Sequence, residues 1–471
     1  MDIFSILTLI GGLSLFLFGM NIMGQSLEQR AGGKLRNLLG KMTTNKAAGL
    51  LTGIGVTAVI QSSSATTVMV VGFVNSGLMT LKQAINVIMG ANVGTTVTAW
   101  ILSLAGISSD SIFIRMLKPS SFTPILALIG IILYMFCKST KKKDTGMIFL
   151  GFATLMFGME TMSEAVSGLR DVPEFTKLFI MFKNPVLGVL AGAVLTAIIQ
   201  SSSASVGILQ ALAVTGQISY GAAVPIIMGQ NIGTCVTAMI SSVGANKNAR
   251  RAAFVHLGFN VIGSCAWLIV FCIVKAILYP VILDKPASLF GIAVTHSAFN
   301  ILCTALMLPL SGMLEKLVCR IVKDDDKPEN ETELDYRLLA TPPIALKRCH
   351  EVASDMAVCA LNSLKESLGS ITDYTPELAE KIRQDEDKTD HYEDILGTYL
   401  VKLSTLRISA EDSSEAAKLL KMIGDFERIS DHAVNLVESS EELIKKDLEG
   451  KELKIAQAKL SRALVRLSVA K

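Results

Sequence analysis

The stretch TAVIQSSSA, Thr57–Ala65, sets the polar run Gln61-Ser62-Ser63-Ser64 inside an apolar segment, and it returns as TAIIQSSSA at Thr196–Ala204. We call Gln61–Ser64 and Gln200–Ser203 the two QSSS motifs. The same offset of 139 residues relates the tripeptide FGM at Phe18 to its copy at Phe157, and GANVGTT at Gly90 to GQNIGTC at Gly229. Three motifs in one fixed register indicate an internal duplication.

Charge divides the chain into two parts. Residues 1–322 carry 10 acidic and 22 basic residues, whereas residues 323–471 carry 31 acidic and 22 basic ones. The first part is apolar and long enough for many membrane spans, so we expect a polytopic membrane domain followed by a soluble, mildly acidic domain. The basic excess lies in loops, where it indicates membrane orientation rather than a nucleic-acid partner.

Loop charges predict how the chain crosses the membrane. Residues 3–23 form an apolar first span with no basic segment before it, which argues against a cleaved signal peptide. The loop 24–46 has a net charge of +4 and is expected in the cytoplasm, whereas its counterpart 160–183 has a net charge of −1 and is expected outside. Equivalent loops on opposite faces are typical of an inverted-topology repeat. The N-terminus is therefore expected outside, and the C-terminal domain in the cytoplasm, of a bacterial inner membrane protein.

The predicted fold class is all-α: a polytopic membrane protein with two inverted-topology repeats containing broken helices or re-entrant hairpins, followed by a soluble helical bundle. The residues 47–77 and 185–216, which contain the QSSS motifs, are too long for one span and polar at their centres. Irregular backbone at that depth is tolerated only where protein buries it or where it lines a water-filled cavity. The expected domains are 1–137 (first repeat), 138–145 (cytoplasmic linker), 146–322 (second repeat), 323–343 (linker) and 344–471 (helical bundle).

The QSSS motifs concentrate hydroxyl and amide groups without any charged neighbour. Free N–H groups at half-helix N-termini attract anions, and hydroxyl and carbonyl oxygens coordinate sodium. A site made of dipoles binds an anion reversibly when a cation is bound alongside. The alternative is that these small polar residues only hold helices together. Their duplication, with a Gly-x-Asn-x-Gly-Thr motif after each copy, favours the binding site.

The paired QSSS motifs with GANVGTT and GQNIGTC downstream resemble the type II sodium-dependent phosphate cotransporters. The resemblance covers about residues 1–315, and it implies sodium-driven transport of inorganic phosphate. It also implies a joint phosphate and sodium site, for which the candidate residues are Gln61, Ser62, Ser63, Ser64, Thr66, Asn92, Thr95, Thr96, Gln200, Ser201, Ser202, Ser203, Ser205, Asn231 and Thr234.

The HLGFN and HSAFN pentapeptides, which begin at His256 and His296, also resemble that family. A histidine inside a membrane span is either a proton relay or a hydrogen-bonded structural residue. Both interpretations stay open at this point.

The tail resembles a PhoU-like domain, through EDKTD at Glu386–Asp390 and DFERISDH at Asp425–His432. In that family such acidic pairs hold metal clusters. Glu386 and Asp390, like Glu427 and Asp431, are four residues apart and share a helix face. Their oxygen ligands suit a divalent metal, and the alternative is a solvated acidic face.

The preferred function is a sodium-coupled symporter of inorganic phosphate. Two alternatives are a phosphate-responsive membrane sensor acting through the PhoU-like tail, and a channel. An enzyme is not expected, because the sequence has neither a nucleophile–histidine–acid constellation nor a phosphate-binding loop. The expected partners are inorganic phosphate, sodium, the lipid bilayer and a second copy of the chain.

Overall fold

Long apolar runs with few helix breakers fold into helices, and the only β-type pairing among the described residues is one isolated bridge, Ser219 with Pro286. The computed structural model describes residues 3–40, 45–107, 116, 118–167, 181, 184–323, 334–340, 342–371, 373–406 and 408–445. The chain divides into two units, Met1–Ala340 and Thr341–Lys471. The α-helices of the first unit are α1 (Ile3–Gly40), α2 (Lys46–Ile60), α3 (Ser63–Asn75), α4 (Leu81–Gly94), α5 (Thr96–Ser103), α6 (Pro119–Phe136), α7 (Thr140–Ser167), α8 (Pro185–Ile199), α9 (Ser202–Ala213), α10 (Tyr220–Ser241), α11 (Lys247–Ile277), α12 (Leu289–Met307) and α13 (Ser311–Ile321).

Among the described residues, seven helical stretches of the first unit are long and apolar enough to cross a membrane. Four shorter apolar helices, α2, α3, α8 and α9, are the halves of the two segments that the sequence predicts to be broken. Each QSSS motif lies at a junction between two of these short helices. The first unit is thus a helical membrane protein, as its composition predicts.

Helices α1 and α7 pack closely because glycines face each other. A Cβ added to Gly19 would overlap the backbone of Gly151 and Leu155, and a Cβ added to Gly158 would overlap that of Gly12 and Phe16. Partner numbers fall in α7 as they rise in α1, so the two helices run antiparallel. The contacts are also reciprocal under the 139-residue offset, since Gly12 corresponds to Gly151 and Gly19 to Gly158.

The same close approach recurs once in each half of the unit. A Cβ on Gly53 of α2 would overlap the carbonyl of Val87 in α4, and a Cβ on Gly192 of α8 would overlap the carbonyl of Ile226 in α10. Small residues allow such backbone contact between membrane helices, where the apolar effect alone does not drive association. The pairs α2–α4 and α8–α10 therefore place the GANVGTT and GQNIGTC segments beside the QSSS motifs.

The described residues of the tail unit form three long helices: α14 (Pro342–Ser370), α15 (Pro376–Thr405) and α16 (Ala410–Lys445). Apolar side chains at helical spacing, such as Ile382, Leu396 and Val437, are fully buried between them. The three helices agree with the predicted bundle. The sequence also predicts that a fourth helical run starts near residue 450, and that run lies outside the described residues.

Several element limits differ from those expected. Helix α1 runs on to Gly40 through most of the predicted loop 24–46, because the stretch after Met23 contains no proline to end it. Helix α7 begins at Thr140, inside the predicted linker 138–145. The predicted linker 323–343 contains a 3-10 helix, Tyr336–Ala340, that belongs to the first unit. Most of the predicted outside loop 160–183 lies beyond the described residues.

Replacing Gly192 by valine tests the close approach of α8 and α10. The added side chain collides with the Ile226 carbonyl, so we expect a loss of about 1–3 kcal/mol in stability. The measurement is the thermal unfolding midpoint of the purified protein in detergent. Gly11→Val is the matched control, because a Cβ there meets no atom within 4 Å. Equal midpoints for the two variants would contradict the packing.

Candidate functional site

Both QSSS motifs begin with a glutamine in left-handed backbone geometry. Gln61 has φ 61° and ψ 22°, and Gln200 has φ 59° and ψ 20°. Each donates its backbone N–H to the carbonyl four residues earlier, Thr57 or Thr196, and thereby ends the preceding helix. A non-glycine residue in this region costs about 1–3 kcal/mol, and such strain concentrates at functional sites. The helix break is thus built identically in both copies.

The second residue of each motif starts the next helix. The Ser62 hydroxyl accepts the N–H of Ala65 at 3.1 Å, and the Ser201 hydroxyl accepts the N–H of Ala204 at 3.2 Å. The first N–H groups of a helix have no partner within the helix and carry its positive dipole end. The N-termini of α3 and α9 therefore each present N–H donors and serine hydroxyls together.

The structure brings the two motifs into direct contact. The Ser64 hydroxyl donates to the Gln200 carbonyl at 3.2 Å. Thr98 at the start of α5 donates to the Gln61 side-chain carbonyl at 2.9 Å and accepts a hydrogen bond from Ser203 at 3.4 Å. Segments 136 and 105 residues apart in sequence thus form one polar centre.

The two halves of this centre differ in their hydrogen bonding. In the first half, Thr57 donates to Thr66 at 3.0 Å. Their counterparts Thr196 and Ser205 have buried hydroxyls with no hydrogen-bond partner in the described part of the chain. The hydroxyl of Thr237, the counterpart of Thr98, is in the same situation. In the first half the buried hydroxyl of Thr67 also has no partner among the described residues. Unsatisfied buried polar groups are costly, so both halves offer oxygens to a polar ligand, and the second half offers more of them.

The glutamines of the two motifs also differ, in their burial and in their hydrogen bonding. Gln61 is only 5% exposed and is bonded to Thr98, whereas Gln200 is exposed. Gln230 of α10 adds a completely buried amide, and neither its oxygen nor its nitrogen has a partner among the described residues.

Other predicted ligands bond within their own helices. Asn92 and Asn231 donate to the carbonyls of Ile88 and Ile227. The hydroxyls of Thr95, Thr96 and Thr234 likewise donate to carbonyls three or four residues earlier. These residues are buried in α4, α5 and α10 beside the motifs, but their donor groups are not directed at the motif residues.

Gln210 of α9 is a site residue that the sequence reasoning missed. Its side-chain nitrogen donates to the carbonyls of Ala99 and Leu289 at 3.1 and 2.9 Å, which ties α9 to α5 and α12. The signal was available, because Gln210 is a lone amide in an apolar helix and Val71 stands at its counterpart. It positions the helix that carries Ser202 and Ser203.

The histidines of the two HxxFN segments are both buried. Their ring nitrogens have no hydrogen-bond partner among the described residues. Asn260 and Asn300 donate to the carbonyls of His256 and His296 respectively, so the two segments have the same local geometry. Neither ring is bonded as a structural histidine within the described chain.

The four tail carboxylates lie on two neighbouring helices. Glu386 and Asp390 are on α15, and Glu427 and Asp431 are on α16. Burial and then the negative charge of Asp390 raise the pKa of Glu386, and burial and then Asp431 raise the pKa of Glu427. Among the described residues there is no group of three or more His, Cys, Asp or Glu side chains that could hold a metal ion. The divalent metal expected on these carboxylates stays a prediction.

Comparison with known proteins gives a family match within each of the two units. The family profile described as Na+/Pi-cotransporter matches residues 15–164 and 174–308, and the PhoU domain profile matches residues 353–440. A Salmonella typhimurium protein named "Putative inorganic phosphate export protein YjbB" is 27% identical over 438 residues, which cover 91% of this chain and 76% of that protein.

Two other relatives match shorter parts of the chain. The Bacillus subtilis protein YqeW, described as uncharacterized, is 31% identical over 304 residues, covering 64% of this chain and 94% of YqeW. The Rattus norvegicus protein named sodium-dependent phosphate transport protein 2A is 29% identical over 194 residues, covering 39% of this chain and 29% of its own length. No solved structure gives a significant match to the chain.

Glu427→Gln tests the carboxylate cluster of the tail. A carboxyl group whose pKa is raised in the folded state contributes stability at low pH, and this contribution is lost as pH rises through the folded pKa. In the presence of a metal chelator at pH 7, Glu427→Gln should therefore raise the temperature at which the tail unfolds in the full chain. At pH 4 the difference in unfolding temperature from the wild type should be smaller. Glu438→Gln, an exposed carboxylate on the same helix, is the control. A lower unfolding temperature for Glu427→Gln at pH 7 would contradict the cluster.

Proposed function

The chain belongs to the Na+/Pi-cotransporter family, with a PhoU domain in its tail, and from this we propose that it is a sodium-coupled symporter of inorganic phosphate. Phosphate and sodium bind between the two QSSS motifs near the bilayer midplane. The observation that carries the proposal is the meeting of two helix N-termini, α3 and α9, at one centre with buried hydroxyls that have no hydrogen-bond partner among the described residues.

The anion is bound by dipoles. N-terminal N–H groups of α3 and α9 and the hydroxyls of Ser63, Ser64, Ser202 and Ser203 supply donors, and helix N-termini favour negative charge. Neither motif contains or adjoins a lysine or arginine, so the anion meets no full opposite charge in the motifs themselves. Phosphate therefore binds without being trapped, which a carrier requires.

Sodium is coordinated by neutral oxygens. Thr196, Ser205 and Thr237 contribute buried hydroxyl oxygens with no partner among the described residues, and Gln200 adds an amide oxygen. Hydroxyl and carbonyl oxygens at broken helices are the ligands that sodium uses in transporters. A bound cation offsets the phosphate charge in the low-dielectric interior, and this mutual stabilisation couples the two fluxes.

The repeats are arranged with inverted topology. The reciprocal glycine contacts of α1 and α7 support this arrangement, because two helices related by a two-fold axis run antiparallel only when the axis is perpendicular to them. The opposite charges of the loops 24–46 and 160–183 agree. The short helices α2–α3 and α8–α9 are then inverted copies that meet at the midplane.

The direction of net flux is set by the gradients. One relative's name refers to phosphate export and another's to sodium-dependent phosphate transport.

A second candidate function, a phosphate-responsive sensor, is favoured by the PhoU domain that follows the membrane unit. Uptake of labelled phosphate into proteoliposomes, with and without a sodium gradient, distinguishes a symporter from a sensor or a channel. Neither a sensor nor a channel would accumulate phosphate in response to the sodium gradient.

Ser63→Ala and Ser202→Ala test the anion site. Each removes a donor to a desolvated anion, worth about 1.5–3 kcal/mol, so phosphate affinity should fall roughly tenfold to a hundredfold. The measurement is the phosphate concentration dependence of sodium-driven uptake. Ser14→Ala is the control, since the exposed Ser14 hydroxyl bonds only within α1. If both variants keep the phosphate affinity and sodium dependence of the wild type, the motifs serve only to pack helices.

Single cysteines introduced in 30–46 and in 163–183 test the topology. We expect membrane-impermeant reagents to label the first set only from the cytoplasm and the second only from outside, with the tail cytoplasmic. Labelling of both sets from one face would exclude the inverted repeat. A homodimer stays a prediction.

A further inference from the structure

The short segment 334–340, just before the tail, is bound tightly to the membrane unit. Leu338 is completely buried, and Asp335 is 4% exposed. A Cβ on Gly72 of α3 would lie 3.1 Å from the Cβ of Arg337 and 3.3 Å from a methyl of Leu338. The segment therefore packs on the helix that begins in the first QSSS motif. We call residues 334–340 the strap.

Arg337 fastens the strap to the second repeat. Its guanidinium donates to the carbonyls of Ser241 and Val243, at the C-terminal end of α10, and pairs with Asp335 at 3.0 Å. A cation at the C-terminal end of a helix is favourable, and hydrogen bonds from a charged donor are the stronger ones. The strap thus joins α3 of one repeat to α10 of the other.

A second polar lock lies at the same end. The side-chain oxygen of Asn75, the last residue of α3, accepts the N–H of Asn246, and the Asn246 side chain donates to the Asn75 carbonyl, both at 2.8 Å. Asn246 also caps α11. The end of α3 is thereby held to the α10–α11 connection by two sets of contacts.

The other end of α10 is different. There Ser219 pairs with Pro286, and the following residues Ala287 and Leu289 line a half-open cavity of about 640 Å³. The 22 residues of α10 separate this cavity from the strap by about 33 Å. The cavity and the strap therefore lie at opposite ends of the unit.

The 139-residue offset relates the two ends. It pairs the strap contact Val243 with Leu104, which lines the cavity, and Ser241 with Leu102, which lies between cavity-lining residues 101 and 103. It pairs Asn246 with Ile107, which also lines the cavity, and Asn75 with the exposed Val214. Because both counterparts are apolar, the polar lock has no counterpart at the cavity end. The strap therefore covers one end of the unit. At the other end, the residues that correspond to its contacts line an open cavity.

From this difference between the two ends we propose that the strap closes the tail-side end of the transport unit, and that transport requires its release, controlled by the tail that begins at Thr341. The inference rests on the proposed transport function. Phosphate and sodium reach the QSSS centre from the tail side only when α3 is freed from the end of α10. The strap is suited to this control, since its last residue is joined directly to the tail.

A reversible crosslink tests the closure in the full chain. A disulfide in Asn75→Cys/Asn246→Cys joins the end of α3 directly to the α10–α11 connection, where the two native residues are hydrogen-bonded to each other at 2.8 Å, and it leaves Arg337 in place. Oxidised protein in proteoliposomes should take up labelled phosphate at least about tenfold more slowly than reduced protein, and reductant should restore the rate. Asn75→Cys alone and the wild type, treated alike, control for the eight native cysteines. Equal rates with the crosslink formed would overturn the proposal.

A second measurement does not depend on sodium-driven flux. In Arg337→Ala we expect amide hydrogen exchange at the last turns of α3 and α10 to rise at least about tenfold, with no change beside the cavity. Arg250→Ala, an exposed arginine at the same end, is the control. Unchanged exchange would refute the strap on its own. Absence of sodium-driven phosphate uptake by the wild type, with exchange raised as expected, would instead refute the transport function alone.

Discussion

Everything in the membrane unit depends on two helix breaks whose polar backbone groups must be satisfied away from water. A broken helix in an apolar environment leaves N–H and carbonyl groups unpaired, and each costs several kcal/mol unless protein or ligand supplies a partner. Here the left-handed Gln61 and Gln200 end one helix, and Ser62 and Ser201 cap the next. The surrounding helices exist largely to bury these breaks and to hold them face to face.

Glycine is what permits that burial. The pairs α1–α7, α2–α4 and α8–α10 approach until backbone touches backbone, at positions such as Gly19, Gly53 and Gly192. Phe16 then packs against Gly207, so the α1–α7 pair supports the helix of the second QSSS motif from behind. Helices placed in this way set the Ser64 hydroxyl of one motif 3.2 Å from the Gln200 carbonyl of the other.

The two repeats are alike in sequence but are not in the same hydrogen-bonding state. Thr57 and Thr98 are bonded, whereas Thr196 and Thr237 have no partner among the described residues. One end of α10 is fastened by Arg337, and the other end borders a cavity. This inequality between the two halves is the basis of the closure proposed for the end of α10 that Arg337 holds.

The sequence by itself determined the duplication, the short broken helices, the division into a membrane unit and a helical tail, and the family. These follow from local pattern: apolar length, the position of glycine, and motifs repeated in register. Only the tertiary structure decided which hydroxyls are bonded, that Thr98 joins Gln61 to Ser203, that Gln210 ties three helices together, and that residues 334–340 pack on α3 instead of forming an open linker. The reason is physical: a periodic pattern reports which face of a helix is buried, but a hydrogen bond between residues a hundred positions apart depends on how the helices cross. No local pattern carries that information.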